Sequence, residues 1–195
     1  MDTDPKWTAY QKRTASGKPR PLLVEALSYV KEKGAAMDLG AGALNDTQFL
    51  LDLENGFREI VAIDITPQFK ELAVPPSIHF TYTQKRLEEY QFPIDHFDLI
   101  SAQYVLPFIS KDHFSKVWSS IHKALKTGGV FTGQLFGERD DWFGREGMTF
   151  HTKTDAEKLL GEFETIVFKE VEYTEENGRK KHWHYFDLII KKQNR

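Results

Sequence analysis

The segment Asp38-Leu39-Gly40-Ala41-Gly42 narrows the folds open to this chain more than any other stretch. It follows a short apolar run, Ala35-Ala36-Met37, and precedes a helical pattern from about Asn45 that carries Phe49, Leu50 and Leu53. Gly40 allows a tight turn between strand and helix, and Gly42 lets the backbone approach a ligand closely. A second apolar run, Ile60-Val61-Ala62-Ile63, ends at Asp64, 22 positions after Gly42. In an open α/β sheet a carboxylate at that strand end can hold ribose hydroxyls.

The same punctuation continues along the chain. Ile78 to Tyr82 reads as a third strand and Phe97-Asp98-Leu99-Ile100-Ser101-Ala102 as a fourth. A helix from about Lys111 to Leu125 turns Phe114, Val117, Trp118, Ile121 and Leu125 inward, and Gly128-Gly129 leads into a fifth strand, Val130 to Phe136. Residues 137–150 read as an irregular loop, and Thr154 with Glu157 as the capping box of another helix. Two β-rich stretches, 163–173 and 182–192, are linked through Asn177-Gly178, a hairpin signal. Before the first strand, Trp7, Tyr10 and Arg13 lie at helical spacing, and Pro21 opens a second helix with Leu22, Leu23, Ala26, Leu27 and Val30 on one face. The order βαβαβ–βαβα plus a terminal hairpin predicts a Rossmann-like, doubly wound, mostly parallel seven-stranded sheet. The hairpin makes its end antiparallel, and helices cover both faces. The chain reads as one domain over 1–195, with 1–20 a cap segment and 21–195 the core.

The 195 residues suit one domain. A net charge of −3 gives no electrostatic case for a nucleic-acid partner. The absence of cysteine excludes disulfides, thiolate metal sites and a cysteine nucleophile. Met1-Asp2-Thr3-Asp4 does not begin a signal peptide, and no apolar run approaches the roughly 20 residues that span a bilayer. The expected compartment is the cytoplasm, without membrane contact. Protein partners stay open.

A dinucleotide would want a third glycine where this chain has Asn45, so that its pyrophosphate could sit on the helix N-terminus. Asp38 would repel that pyrophosphate. S-adenosylmethionine (SAM) lacks the pyrophosphate and carries an ammonium and a sulfonium, which an acid beside the loop suits. The plainer role for Asp38 is to brace the loop. An NAD(P)-dependent oxidoreductase and a non-catalytic SAM-binding module remain as alternatives.

Four motifs together carry a family resemblance. They are Ala36-Met37-Asp38-Leu39-Gly40-Ala41-Gly42, Val61-Ala62-Ile63-Asp64, the fourth strand, and Leu125-Lys126-Thr127-Gly128-Gly129. The chain resembles the class I SAM-dependent methyltransferases over nearly its whole length. Trp7 and Tyr10 before a proline-flanked helix, Gly133-Gln134-Leu135-Phe136-Gly137-Glu138-Arg139-Asp140-Asp141-Trp142, and Lys181-His182-Trp183-His184-Tyr185-Phe186 resemble the small bacterial tellurite-resistance group. The resemblance implies SAM as donor, with Asp38, Leu39, Gly40, Ala41, Gly42, Asp64, Ile65, Gln84, Arg86, Leu87, Ala102 and Gln103 around it. The acid that many relatives use for the adenine amine is missing near Lys85 and Arg86. Gln84 or a backbone carbonyl would take its place.

Methyl transfer from a sulfonium is an in-line displacement, so catalysis would come mainly from positioning. A small-molecule acceptor is expected. Tyr10, with Arg13, could cover the donor, and Gln103 and Tyr104 follow the fourth strand, where catalytic groups of this fold class sit. The loop Glu138-Arg139-Asp140-Asp141-Trp142-Phe143 is long for a simple link, which favours function. His182 and His184 share one strand face and could contact acceptor, act as a base or pack structurally. Two imidazoles do not make a metal site, and no third ligand is recognisable by spacing. The catalytic candidates are thus Tyr10, Gln103, Arg139 and His184, with no metal.

Overall fold

The apolar runs of the sequence become neighbours in one sheet, seen in a computed structural model that describes residues 4–176 and 180–193. The strands are β1 (Ala35–Leu39), β2 (Glu59–Asp64), β3 (His79–Gln84), β4 (Phe97–Ala102), β5 (Leu125–Gly137), β6 (Phe150–His151), β7 (Phe163–Glu175) and β8 (Lys181–Lys192). Their order is β3-β2-β1-β4-β5-β8-β7, with the two-residue β6 paired to β5 off this path. β8 runs antiparallel to β5 and to β7, and all other pairs are parallel. The expected fold class holds, with β6 as an eighth strand. Asn177-Gly178, the expected hairpin turn, lies outside the described residues.

The helices are α1 (Pro5–Thr14), α2 (Pro21–Ala26), α3 (Asn45–Leu51), α4 (Lys111–Ala124) and α5 (Lys153–Leu159). Because strand side chains alternate, each strand feeds two cores. Met37, Ile100, Phe131, Leu135, Phe186 and Leu188 pack against Phe114, Val117, Trp118 and Ile121 of α4. On the other face Ala36, Ile60, Leu99, Val130 and Ile189 pack against Leu23 of α2 and Leu50 of α3. Each such buried large apolar side chain contributes roughly 1.5–3 kcal/mol.

Three local expectations are corrected. No helix links β2 to β3, because Pro67, Pro75 and Pro76 interrupt that crossover. The α5 cap is Thr152, whose hydroxyl accepts the Asp155 N–H at 3.1 Å. Thr154 lies inside the helix, where its backbone is helical rather than extended as a cap requires. β1 runs on to Leu39, so Asp38 is a buried strand residue.

Strand order reverses at β1, which lies between β2 and β4. The crevice beyond the carboxyl ends of these strands is where open α/β sheets bind ligands. Among the described residues no helix is long and apolar enough to cross a membrane.

Candidate functional site

The glycine loop folds back onto β2. The amides of Gly40 and Ala41 donate to the Ile63 carbonyl at 2.8 and 3.0 Å. Gly40 has φ of +71°, and a Cβ there would lie 2.6 Å from the Val105 side chain, so only glycine lets the β4 exit approach this closely. Asp64 Oδ2 accepts the Gly42 N–H at 2.9 Å, and Oδ1 accepts the Thr66 N–H at 2.9 Å and the Thr66 hydroxyl at 2.6 Å. Both oxygens of Asp64 therefore hold its own loop. Gln11, a buried residue of α1, donates to the Gly42 carbonyl at 2.9 Å and to the Thr66 hydroxyl oxygen.

Asp38 has a definite bracing partner. Its Oδ2 accepts the Thr47 hydroxyl of α3 at 2.6 Å. Burial, then the nearby Asp46 carboxylate, push its pKa far above the ordinary carboxylate range. The end of α1 and the segment that follows it are tied to the start of α3, with Asn45 Nδ2 donating to the Thr14 carbonyl and Arg20 N–H to Asp46, both at 2.7 Å. At the end of β3, Gln84 Nε2 donates to the Ile65 carbonyl at 3.1 Å, and Arg86 pairs with Glu88 at 3.2 Å. Leu87 is buried in the α4-side core.

A second constellation stands beyond the end of β4, against β5 and β8. Gln134 Nε2 donates to Gln103 Oε1 at 3.2 Å and to Asp187 Oδ1 at 3.0 Å, while its Oε1 accepts the Tyr104 N–H at 2.9 Å. Gln103 Nε2 donates to the Ser101 hydroxyl at 3.2 Å. Tyr104 has φ of +57°, a conformation costly for a bulky side chain and concentrated at functional sites. Its ring meets Tyr185 edge-on at 5.6 Å, and the Arg20 guanidinium lies 5.2 Å over it. Arg20 also donates to the Tyr10 hydroxyl at 3.0 Å. Arg20, Gln103, Tyr104, Gln134, Tyr185 and Asp187 line a cleft of about 180 Å³, flanked by Pro21 and Leu22. A larger depression, about 440 Å³, is lined by Gly34, Arg58, Glu59, His79, His96 and Lys126. It opens at the amino ends of the strands, away from the glycine loop.

Tyr10 and Gln103 thus meet in one region through Arg20 and Tyr104. Arg139 and His184 lie in a separate cluster. His184 shares its sheet face with Phe186 and the α4-side core, whereas Tyr185 and Asp187 point to the α2 side. His184 Nε2 lies 3.1 Å from Glu170, and Arg139 pairs with Glu170 at 2.6 Å and Glu172 at 2.8 Å. Arg139 holds both carboxyls well below the usual range, with His184 reinforcing the effect on Glu170 and His182 on Glu172. A Cβ at Gly137 would collide with the His184 ring, so that glycine makes room for the imidazole.

Glu170, Glu172 and His184 bring ligand atoms within 4.8 Å of one another, carboxylates that the sequence did not offer by spacing. The imidazole is nevertheless committed. Nδ1 accepts the Arg139 N–H at 3.1 Å, so in the neutral ring Nε2 carries the hydrogen and donates to Glu170. Neither nitrogen has a lone pair left for a cation.

The 138–149 loop is anchored by Asp140. Its side chain is fully buried and pairs with Lys181 at 2.7 Å, and it also accepts the Trp142 and His184 amides. The Lys181 ammonium lies 4.1 Å from the Trp142 ring and 3.7 Å from Trp183. Trp7 of α1 packs on Phe108 at 4.8 Å, which joins the cap to this aromatic belt.

Gln11, Thr66, Gln134 and Asp187 escaped the sequence reading. The available signal was weak: Gln134 and Asp187 are polar residues inside otherwise apolar strand runs.

Comparison with known proteins now bears on this geometry. Residues 37–132 match a family model described as a methyltransferase domain. No curated protein matches the chain by sequence. A similar solved structure is the 1,6-didemethyltoxoflavin-N1-methyltransferase of Burkholderia thailandensis. It has TM-score 0.65 and 16% identity, over 100% of this chain and 92% of that one. TehB from Haemophilus influenzae is similar with TM-score 0.72 and 13% identity, over 94% of this chain and 66% of that one. A Haloferax volcanii complex of a methyltransferase with the Trm112 methyltransferase activator gives TM-score 0.69 and 13% identity, over 98% of this chain and 96% of that one. These likenesses establish the fold. Residues 37–132 thus carry a methyltransferase domain, with its glycine loop at the reversal of strand order.

Proposed function

We propose that the chain transfers the methyl group of SAM to a small-molecule acceptor held in the cleft between Gln103 and Asp187. The observation that carries this reading is a shared roof. The α1–α2 segment reaches the glycine loop through Gln11 and the cleft through Arg20, so one cap covers two adjoining sites. The register supports their adjacency. Asp38 of β1 pairs with Ser101 of β4, and Ala102 pairs with Gly133 of β5, one residue before Gln134.

In this reading Asp64 takes the ribose hydroxyls after releasing its loop contacts. Leu39, Gly40, Ala41 and Gly42 offer backbone to the donor, and Asp38 faces its cationic end. Ile65, Gln84, Arg86 and Leu87 border the adenine, and Ala102 and Gln103 flank the reacting sulfur. Tyr10 belongs to the cap, while Arg139 and His184 support the loop and the sheet. The acceptor's lone pair attacks the methyl carbon in line as the S–C bond breaks. Alignment alone can be worth effective molarities of about 10⁵ M or more. The Burkholderia neighbour, solved with 1,6-didemethyltoxoflavin and S-adenosylhomocysteine, gives a precedent for a small-molecule acceptor in such a fold.

Two measurements test the reading together. Calorimetry should show saturable binding of S-adenosylhomocysteine without added metal and none of NAD. Incubation with SAM and a panel of small acceptors should release S-adenosylhomocysteine. Binding of NAD in its place would return the oxidoreductase alternative, and donor binding without turnover on any acceptor would favour a non-catalytic module.

A further inference from the structure

We propose that Asp187 is the general base of the reaction and that the acceptor is a one-ring molecule whose attacking oxygen or nitrogen carries a proton. The inference rests on the reading of the cleft as the acceptor site.

Asp187 lies in the run Phe186-Asp187-Leu188-Ile189-Ile190, whose four apolar members are fully buried. A carboxylate at such a place costs stability unless something recovers it. One oxygen, Oδ1, accepts from Gln134 at 3.0 Å. Oδ2 accepts no hydrogen bond from the described residues, and Asp187 lines the cleft. The same Gln134 side chain binds the Tyr104 amide and Gln103, so it positions the carboxylate relative to the end of β4.

No other lining group can take a proton near neutral pH. Burial pushes the Tyr104 and Tyr185 hydroxyls upward, so both stay protonated and serve as donors. Arg20 and the two glutamine amides are not bases. The charged and titratable groups around Asp187 come from several elements: Lys169 across the β7–β8 pair, Glu25 on α2, Arg20 at the cleft mouth, and the two tyrosines. Burial raises its pKa, Gln134 and Lys169 oppose the rise, and Glu25 adds to it. A carboxylate raised in this way is a better base for neutral-pH chemistry than an ordinary one.

Size selects the acceptor. About 180 Å³ is close to the roughly 150 Å³ cavity that takes benzene, and below the roughly 300 Å³ where drug-sized sites begin. The reaction balances without any further reagent. The lone pair of X–H attacks the methyl carbon, the X–C bond forms, and the S–C bond breaks with its electron pair staying on sulfur. The proton passes from X to Asp187 Oδ2 and then to water as methylated product and S-adenosylhomocysteine leave.

The test compares wild type with Asp187→Asn on matched acceptors. Phenol and catechol keep their proton at pH 7.5, 4-nitrophenol has largely lost it, and pyridine and tellurite attack through atoms that bear none. Wild type should methylate phenol or catechol. Asp187→Asn should lose about 10²–10⁴-fold in kcat on those acceptors, should lose little on 4-nitrophenol, and should bind S-adenosylhomocysteine as wild type does. Equal losses on protonated and ionised phenols, or turnover confined to pyridine or tellurite, would overturn the assignment. So would wild type that binds donor but turns over none of the phenols. A wild type that fails to bind S-adenosylhomocysteine would instead strike at the methyltransferase reading of the site.

Discussion

The Gln11 amide of α1 donates to the carbonyl of Gly42, 2.9 Å away, so the N-terminal helix is bonded to the loop expected to carry the donor. The same amide reaches Thr66, which is bonded to Asp64. Helix, loop and strand end are thus bonded to one another, and a donor seated there would exchange some of these bonds. Gln11→Ala removes part of that self-bonded state. A net hydrogen bond is worth about 1 kcal/mol, so association of S-adenosylhomocysteine should accelerate by about fivefold in stopped-flow fluorescence. Unchanged or slower association would take α1 out of the binding path.

Asp64 should matter more. A carboxylate that accepts both ribose hydroxyls makes charge-assisted bonds, and Asp64→Ala should lose roughly 2–4 kcal/mol of affinity for S-adenosylhomocysteine. The variant should remain folded, since the residue stands at the end of β2. Melting should fall modestly as Gly42 and Thr66 lose their acceptor. A folded variant with full affinity would remove Asp64 from the donor site.

Asp38 sets a pH dependence. Its pKa rises from 3.8 to about 8, first through burial and then through Asp46, with Thr47 opposing and Asp64 adding. Between those values the unfolded chain is ionised while the folded one holds the proton. The native state then binds more protons, and its stability falls as pH rises through that window. Urea denaturation across this range should show the decline, and Asp38→Asn should flatten it. A donor ammonium beside Asp38 would favour the carboxylate, so binding near pH 7 should release a proton. Calorimetry in buffers of different ionisation enthalpy reads that release directly, and its absence would detach Asp38 from the donor's cationic end.

The parts of the site that follow from local chain geometry were legible in the sequence. Gly40 is needed for a positive φ, Asp64 ends an apolar run, and both stand where the strand–loop–helix pattern puts them. The cleft was not legible, because it depends on register. Gln134 and Asp187 are 53 residues apart, and only the antiparallel pairing of β5 with β8 sets them side by side. Period-two alternation also separates neighbours in sequence: His184 and Tyr185 face opposite cores. Asp38 was read as an acid beside the loop after an apolar run, whereas the hydrogen-bond ladder carries β1 past it to Leu39 and it is buried in the strand. The missing crossover helix after β2 was written in Pro67, Pro75 and Pro76, three breakers in one link.

His184 should prove structural and free of metal. The sequence argument was that two imidazoles are too few, and the structure weakens it by adding Glu170 and Glu172 nearby. A stronger argument replaces it. Nδ1 is held by the Arg139 amide, which leaves the hydrogen on Nε2 and directs it at Glu170. A cation would have to break that contact, reverse the tautomer and expel the Arg139 guanidinium from two carboxylates. Purified untagged protein should therefore carry substoichiometric zinc by elemental analysis, and chelation should leave donor binding and turnover unchanged. His184→Gln should lose about 1–3 kcal/mol of stability through an unsatisfied buried network while S-adenosylhomocysteine binding stays at the wild-type level. Stoichiometric zinc, or turnover that disappears with a chelator and returns with metal, would move His182 and His184 into a metal centre.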